Sequence, residues 1–191
     1  MLGVNRKQMI LDAATKSFSL FGFKATTMDQ VAKLANVGKG TIYTFFKNKE
    51  ELFDDIISGL IFEMKAAADE AIDPVLHFHE NLHRALFKMI EFRSQHQLMI
   101  KLFQEEREMG TPAVQEVIAK FEQTIISYIK EKLIIGVERK EIESCDPEIT
   151  AFIIIKMYIA LIFDWEKRHD PLSKEEIAKL FERYIVKGLS K

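Results

Sequence analysis

The stretch Asn36–Leu52, NVGKGTIYTFFKNKEEL, gathers side chains able to hold a phosphate. Lys39 lies between Gly38 and Gly40, Thr41 and Thr44 carry hydroxyls, Tyr43 carries a phenol, and Lys47 and Lys49 close the run. A lysine set among glycines suits two chemistries: a loop that wraps a nucleotide phosphate, or a short helix pressed against a nucleic-acid backbone. The nucleotide loop requires G-x-x-x-x-G-K-[ST] after a strand. Here glycine follows Lys39, residue 33 is lysine, and the preceding segment has a helical pattern, so the nucleotide reading fails.

Other reactive residues are less organised. Of His77, His79 and His83, only the last two share a helix face at i, i+4, and no cysteine or carboxylate pair completes a ligand set, so no metal is expected. No nucleophile stands at a catalytic spacing from a base, and neither an enzymatic activity nor a cofactor is expected. The run Gln104–Glu108 reads as a solvated helix face.

The elements that must position these groups are helices. Period-two alternation is nearly absent, and only four prolines and eight glycines interrupt long helical patterns, so the chain is expected to be all-α. Ile10, Ala14, Phe18 and Phe21 form one stripe of a first helix that Gly22 ends, and Thr27 with Gln30 makes a capping box for a short second helix. After a turn at Asn36-Val37-Gly38, a third short helix runs over about 39–46. Longer helices are expected near 49–71, 75–93, 96–108, 112–135, 147–168 and 173–188, separated by Asp73-Pro74, Gly110-Thr111-Pro112, Asp146-Pro147 and Asp170-Pro171.

Two short helices joined by a tight turn and preceded by a longer one make a helix-turn-helix. In the third helix Ile42 and Phe46 face inward, which leaves Lys39, Gly40, Thr41, Tyr43 and Thr44 for a docking surface. A major groove about 12 Å wide admits such a helix. Lys39 could reach guanine or a phosphate, Gly40 permits close approach, and Tyr43, Lys47, Lys49 and Thr27 suit the backbone. Charge agrees: the first fifty residues hold eight lysines or arginines against three acids, a balance of +5, while the remaining 141 carry −7. A basic head on an acidic body fits a chain whose first quarter meets a polyanion.

The segment FGFKATTMDQVAKLANVGKGTIYTFFKNKEELF, within about Arg6–Phe53, resembles the DNA-binding domain of TetR/AcrR-type bacterial transcriptional regulators. Their pattern has a glycine and aromatic before the capping threonine, then K-G, a tyrosine, a phenylalanine and K-E. The resemblance implies a helix-turn-helix domain over 1–48 and a helical ligand-binding and dimerisation domain over 49–191. It further implies a cytoplasmic homodimer that binds a palindromic double-stranded operator as a repressor and is released by a small hydrophobic or amphipathic inducer. The chain departs from the pattern at Gly38 and Phe45, where relatives often carry polar groups, so Thr27, Lys39, Gly40, Thr41, Tyr43 and Lys49 should bear more of the binding.

The helix near 147–168 is apolar nearly all round and needs cover on several sides, more than the stripe of the last helix supplies. A second subunit would complete it, with Ile155, Ile159, Ile162, Phe181 and Ile185 at the seam. Ala151–Phe163 spans thirteen residues and includes Lys156, too short for the roughly 20 needed to cross a bilayer, so no membrane is expected. The family places an inducer cavity among the middle helices, for which Phe62, Phe92, Met99, Phe103, Phe121 and Trp165 are candidate linings. A competing reading is a helical small-molecule carrier or enzyme with a vestigial head; another is a constitutive architectural DNA-binding protein with no inducer.

Overall fold

A computed structural model describes residues 5–95 and 97–189, with no side-chain description for Arg93–Gln95 or Leu189. Every regular element among the described residues is helical: α1 Arg6–Ala25, α2 Met28–Leu34, α3 Lys39–Phe45, α4 Lys49–Ala71, α5 Phe78–Gln95, α6 Gln97–Met109, α7 Pro112–Glu138, α8 Pro147–Ile159, α9 Lys174–Phe181 and α10 Lys187–Leu189. The expected breaks hold because each carries a residue that cannot continue a helix. Asp146 caps α8 by accepting from the amides of Glu148 and Ile149, and Ser173 with Glu176 forms a capping box for α9. Two π-helical turns, Ala160–Asp164 after α8 and Glu182–Val186 after α9, have no counterpart in the periodicity.

The chain divides into two compact units, Met1–Phe62 with Gln95–Ala119, and Glu63–Ser94 with Lys120–Lys191. This differs from the expected division at residue 48, because α6 packs against α1 and so joins the first unit.

In the first unit Phe18, Phe23 and Phe53 form an aromatic cluster with centroids 4.6–5.7 Å apart, beside Ile10, Ala14 and Val31. Phe21, expected on the same stripe, is exposed. The next residue, Gly22, at φ 84° and ψ 170°, breaks the helix before Phe23–Ala25 resume a turn. That conformation is essentially confined to glycine. The break leaves the amides of Phe23 and Lys24 without helical partners, and the Glu105 carboxylate of α6 accepts from both, at 2.6 and 2.9 Å, and from the Thr111 hydroxyl at 2.9 Å. Glu105 is only 4% exposed, which corrects the solvated-face reading of its segment.

In the second unit Leu86, Ile90, Leu133, Ile142, Ile154, Ile162, Phe181 and Ile185 share one core. Ile155 and Ile159 are buried as well. All five residues expected at a subunit seam are therefore largely covered within one chain. The apolar side chains that α8 leaves outward are Ile149, Phe152 and Ile153, spaced i, i+3, i+4 on one face. Lys156 beside them is held by both Glu122 oxygens, at 2.6 and 2.7 Å, which accounts for a lysine inside so apolar a run.

A side chain at Gly22 would collide with the Glu105 carboxylate as well as strain the backbone. Gly22→Ala is expected to lower unfolding free energy by at least about 2 kcal/mol. In a urea-denaturation cycle with Glu105→Ala, the two losses should sum to more than the double mutant shows.

Candidate nucleic-acid interface

The helix-turn-helix is built from local rules. Thr27 accepts from the Gln30 amide at 3.3 Å, while the Gln30 side chain accepts from the Thr27 amide at 2.8 Å, so the expected capping box starts α2. The corner after α2 turns on Asn36, at φ 52°, rather than on Gly38, whose φ is −67°. Asparagine tolerates that left-handed geometry better than most residues. Ile42 and Phe46 bury the inner side of α3, as their spacing predicts.

The outer side carries most of the predicted residues. Lys39, Gly40, Tyr43, Thr44 and Lys47 are exposed and Thr41 is half-buried. A Cβ added at Gly40 would meet nothing within 4 Å, so the chain itself does not require glycine there. The Thr44 hydroxyl donates to the Thr41 carbonyl at 2.7 Å and keeps only its lone pairs for an outside donor. Phe45 is exposed beside them and adds an apolar edge. Thr27 is exposed at the start of α2, its hydroxyl shared with Gln30 at 3.1 Å.

Two of the lysines differ from expectation. Lys49 donates to the carbonyls of Phe23 and Thr26 at 2.8 and 2.9 Å and lies over the Phe23 ring at 4.2 Å. Burial pushes its ammonium below its ordinary pKa. Lys49 therefore closes the end of α1, unlike the exposed Lys39 and Lys47 of the expected phosphate-contact set. Lys39 is exposed, but its ammonium lies 2.9 and 3.0 Å from the two oxygens of Asp29 on α2. Hydrogen bonding to that carboxylate raises its pKa. Nothing in the local spacing signalled this pair, because its members stand ten residues apart across a turn.

The candidate inducer linings are less coherent. Phe62, Met99 and Phe103 belong to the first unit, and Phe92, Phe121 and Trp165 to the second. Met99, Phe103 and Phe121 are buried, whereas Phe62 is 73% exposed. The Trp165 indole donates to the Asp170 carbonyl at 3.2 Å and its ring stacks on His169, at the surface of the chain. A cleft of about 440 Å³ in the second unit has Leu82, Leu86 and Phe181 among its walls and His79, His83 and Glu182 among its polar groups; none of the six candidates lines it. Among the described residues no group of three histidine, cysteine or acidic side chains could hold a metal ion, and no helix is long and apolar enough to cross a membrane.

Comparison with known proteins places this geometry in a family. The model for bacterial regulatory proteins of the tetR family matches residues 10–56, and that for the tetracyclin repressor-like C-terminal domain matches residues 76–189. The chain is 66% identical, over 99% of both lengths, to the uncharacterized HTH-type transcriptional regulator YhgD of Bacillus subtilis (strain 168). A TetR-family transcriptional regulator from Rhodococcus sp. superposes with a TM-score of 0.77 at 20% identity, covering 97% of this chain and 98% of that one. The transcriptional regulator FadR of Bacillus subtilis, in complex with stearoyl-CoA, superposes with a TM-score of 0.70 at 21% identity, covering 91% and 96%.

The different settings of Lys47 and Lys49 separate their mutants. Lys47→Ala is expected to lower the slope of log K against log salt for duplex DNA by about 0.9. Lys49→Ala should leave that slope unchanged and cost about 1–3 kcal/mol of stability, read by urea denaturation.

Proposed function

The chain belongs to the tetR family of bacterial regulatory proteins, and we propose that it is a homodimeric repressor that leaves a palindromic operator when a small apolar or amphipathic inducer binds. That it is a transcriptional regulator follows from the family and from its 66% identical relative. The observation that carries the DNA-binding assignment is the division of α3: Ile42 and the following Phe46 are buried while Lys39, Gly40, Tyr43 and Thr44 stand outward, on a head of net charge +5 over its first fifty residues. A helix so divided docks its first turns in a major groove, with Lys39 and Thr41 towards base edges and Tyr43, Lys47 and Thr27 towards phosphates.

Dimerisation is supported by the outward face of α8. Ile149, Phe152 and Ile153 are each about half-exposed on a single chain, and Tyr184 is exposed too. Such a contiguous apolar face favours association with a second copy, because covering it removes apolar surface from water. Two heads joined this way would sample half-sites about one helical turn apart, and linkage of two weak contacts raises avidity by roughly 10²–10⁴.

The inducer reading draws support from the FadR structure bound to stearoyl-CoA, which makes an apolar-tailed ligand the first class to try. To weaken operator binding 100-fold, such a ligand must prefer the released conformation by about 2.7 kcal/mol.

Selection from a random pool of duplexes tests the reading. The full chain should enrich a palindrome with half-sites about ten base pairs apart, whereas recovery of no duplex would favour a carrier with a vestigial head. Phe152→Glu should convert the dimer to monomer in sedimentation and weaken binding to the enriched duplex by roughly 100-fold or more.

A further inference from the structure

We propose that Asp29 is a specificity-determining residue: it holds Lys39 so that the lysine serves a base edge and does not serve the phosphate backbone of every sequence. The proposal rests on the reading of α3 as the DNA-contacting helix and assigns a role to a residue of the other helix.

Asp29 lies in the first turn of α2 and Lys39 opens α3, and the turn brings them together so that both carboxylate oxygens engage one ammonium, at 2.9 and 3.0 Å. The side chains are 62% and 55% exposed for Lys39 and Asp29. A pair so exposed contributes little to folding. Its consequence is electrostatic and falls on the partner. An unpaired lysine at the front of the helix would attract any phosphate and add about 0.9 to the salt slope on every duplex. Paired, it gives up that charge, and a phosphate drawn to the ammonium also meets the Asp29 carboxylate.

A base edge is a different acceptor. An ammonium carries three N–H donors. With one directed to Asp29 Oδ2, the others are available to guanine O6 or N7, which are neutral and do not repel the carboxylate. The contact to a base therefore survives the pairing, and the contact to a phosphate is penalised. Gly40 next to Lys39, with open space where a side chain would stand, lets the backbone come close enough for so short a reach.

The test uses the full-length chain, the duplex that the wild type enriches from a random pool, and a scrambled duplex of equal length and composition, followed by fluorescence anisotropy across a salt series. Asp29→Asn should bind the scrambled duplex roughly 3- to 10-fold more tightly at low salt, with a slope steeper by about 0.9, and its ratio of selected to scrambled affinity should fall. Adding Lys39→Ala to Asp29→Asn should restore the wild-type slope, whereas Lys39→Ala alone should leave the slope on scrambled DNA nearly unchanged. Thermal melts of each variant confirm a folded head. Unchanged slopes and ratio in Asp29→Asn would overturn the proposal while leaving the DNA-binding reading intact, as would equal weakening on both duplexes. A wild type that enriches no duplex overturns both.

Discussion

A buried carboxylate bonded to two backbone amides fixes the first unit of this protein. Once Gly22 takes a conformation that no other residue readily adopts, the amides of Phe23 and Lys24 lose their helical acceptors, and Glu105 from α6 supplies both. Unsatisfied, each would cost roughly 1–3 kcal/mol. The neighbouring groups follow from the same kink. Thr26 donates its hydroxyl to the Gly22 carbonyl and meets Ser17, while the carbonyls of Phe23 and Thr26 receive the Lys49 ammonium. Thr27 then starts α2 in its capping box. The placement of the helix-turn-helix thus depends on a residue of a helix more than eighty positions away.

This arrangement explains which parts of the molecule the sequence reveals. Helix ends are legible because glycine, proline and capping side chains act on their own neighbours: Thr27 with Gln30, Asp146 before Pro147, Asn36 at the corner. The docking face of α3 is legible because just two of its positions, Ile42 and the adjoining Phe46, need burial. Glu105 is not, because a carboxylate in a run of charges looks solvated until the amides it caps are found elsewhere in the chain. Lys49 is hidden for a similar reason, since its distance from the recognition helix suited a phosphate contact equally well. The inward side of α8 was not legible because the helix is apolar nearly all round and gives no phase; Ile162 shares a core with residues of α5, α7 and α9, and Ile155 and Ile159 are buried as well.

The charge balance of the head also reads differently with its partners in view. Lys7 pairs with Asp55 at 2.8 Å, Lys39 with Asp29, and Lys49 with carbonyls. The exposed cations Arg6, Lys16, Lys24, Lys33 and Lys47 remain to set the field that DNA meets first. Tyr43 and the hydroxyls of Thr41 and Thr44 add polar groups to the outer side of α3 without changing net charge.

Gly22 and Gly40 bear unequal burdens although both are glycines of the same head. At Gly22 both the backbone conformation and the Glu105 carboxylate, with which a Cβ would collide, oppose a side chain. Around Gly40 the protein leaves open space, so a larger residue there meets no resistance from the chain itself. Descendants of this chain can accordingly try new residues at Gly40 without first acquiring spare stability, which makes that position an inexpensive route by which one lineage of regulators could come to recognise different promoters.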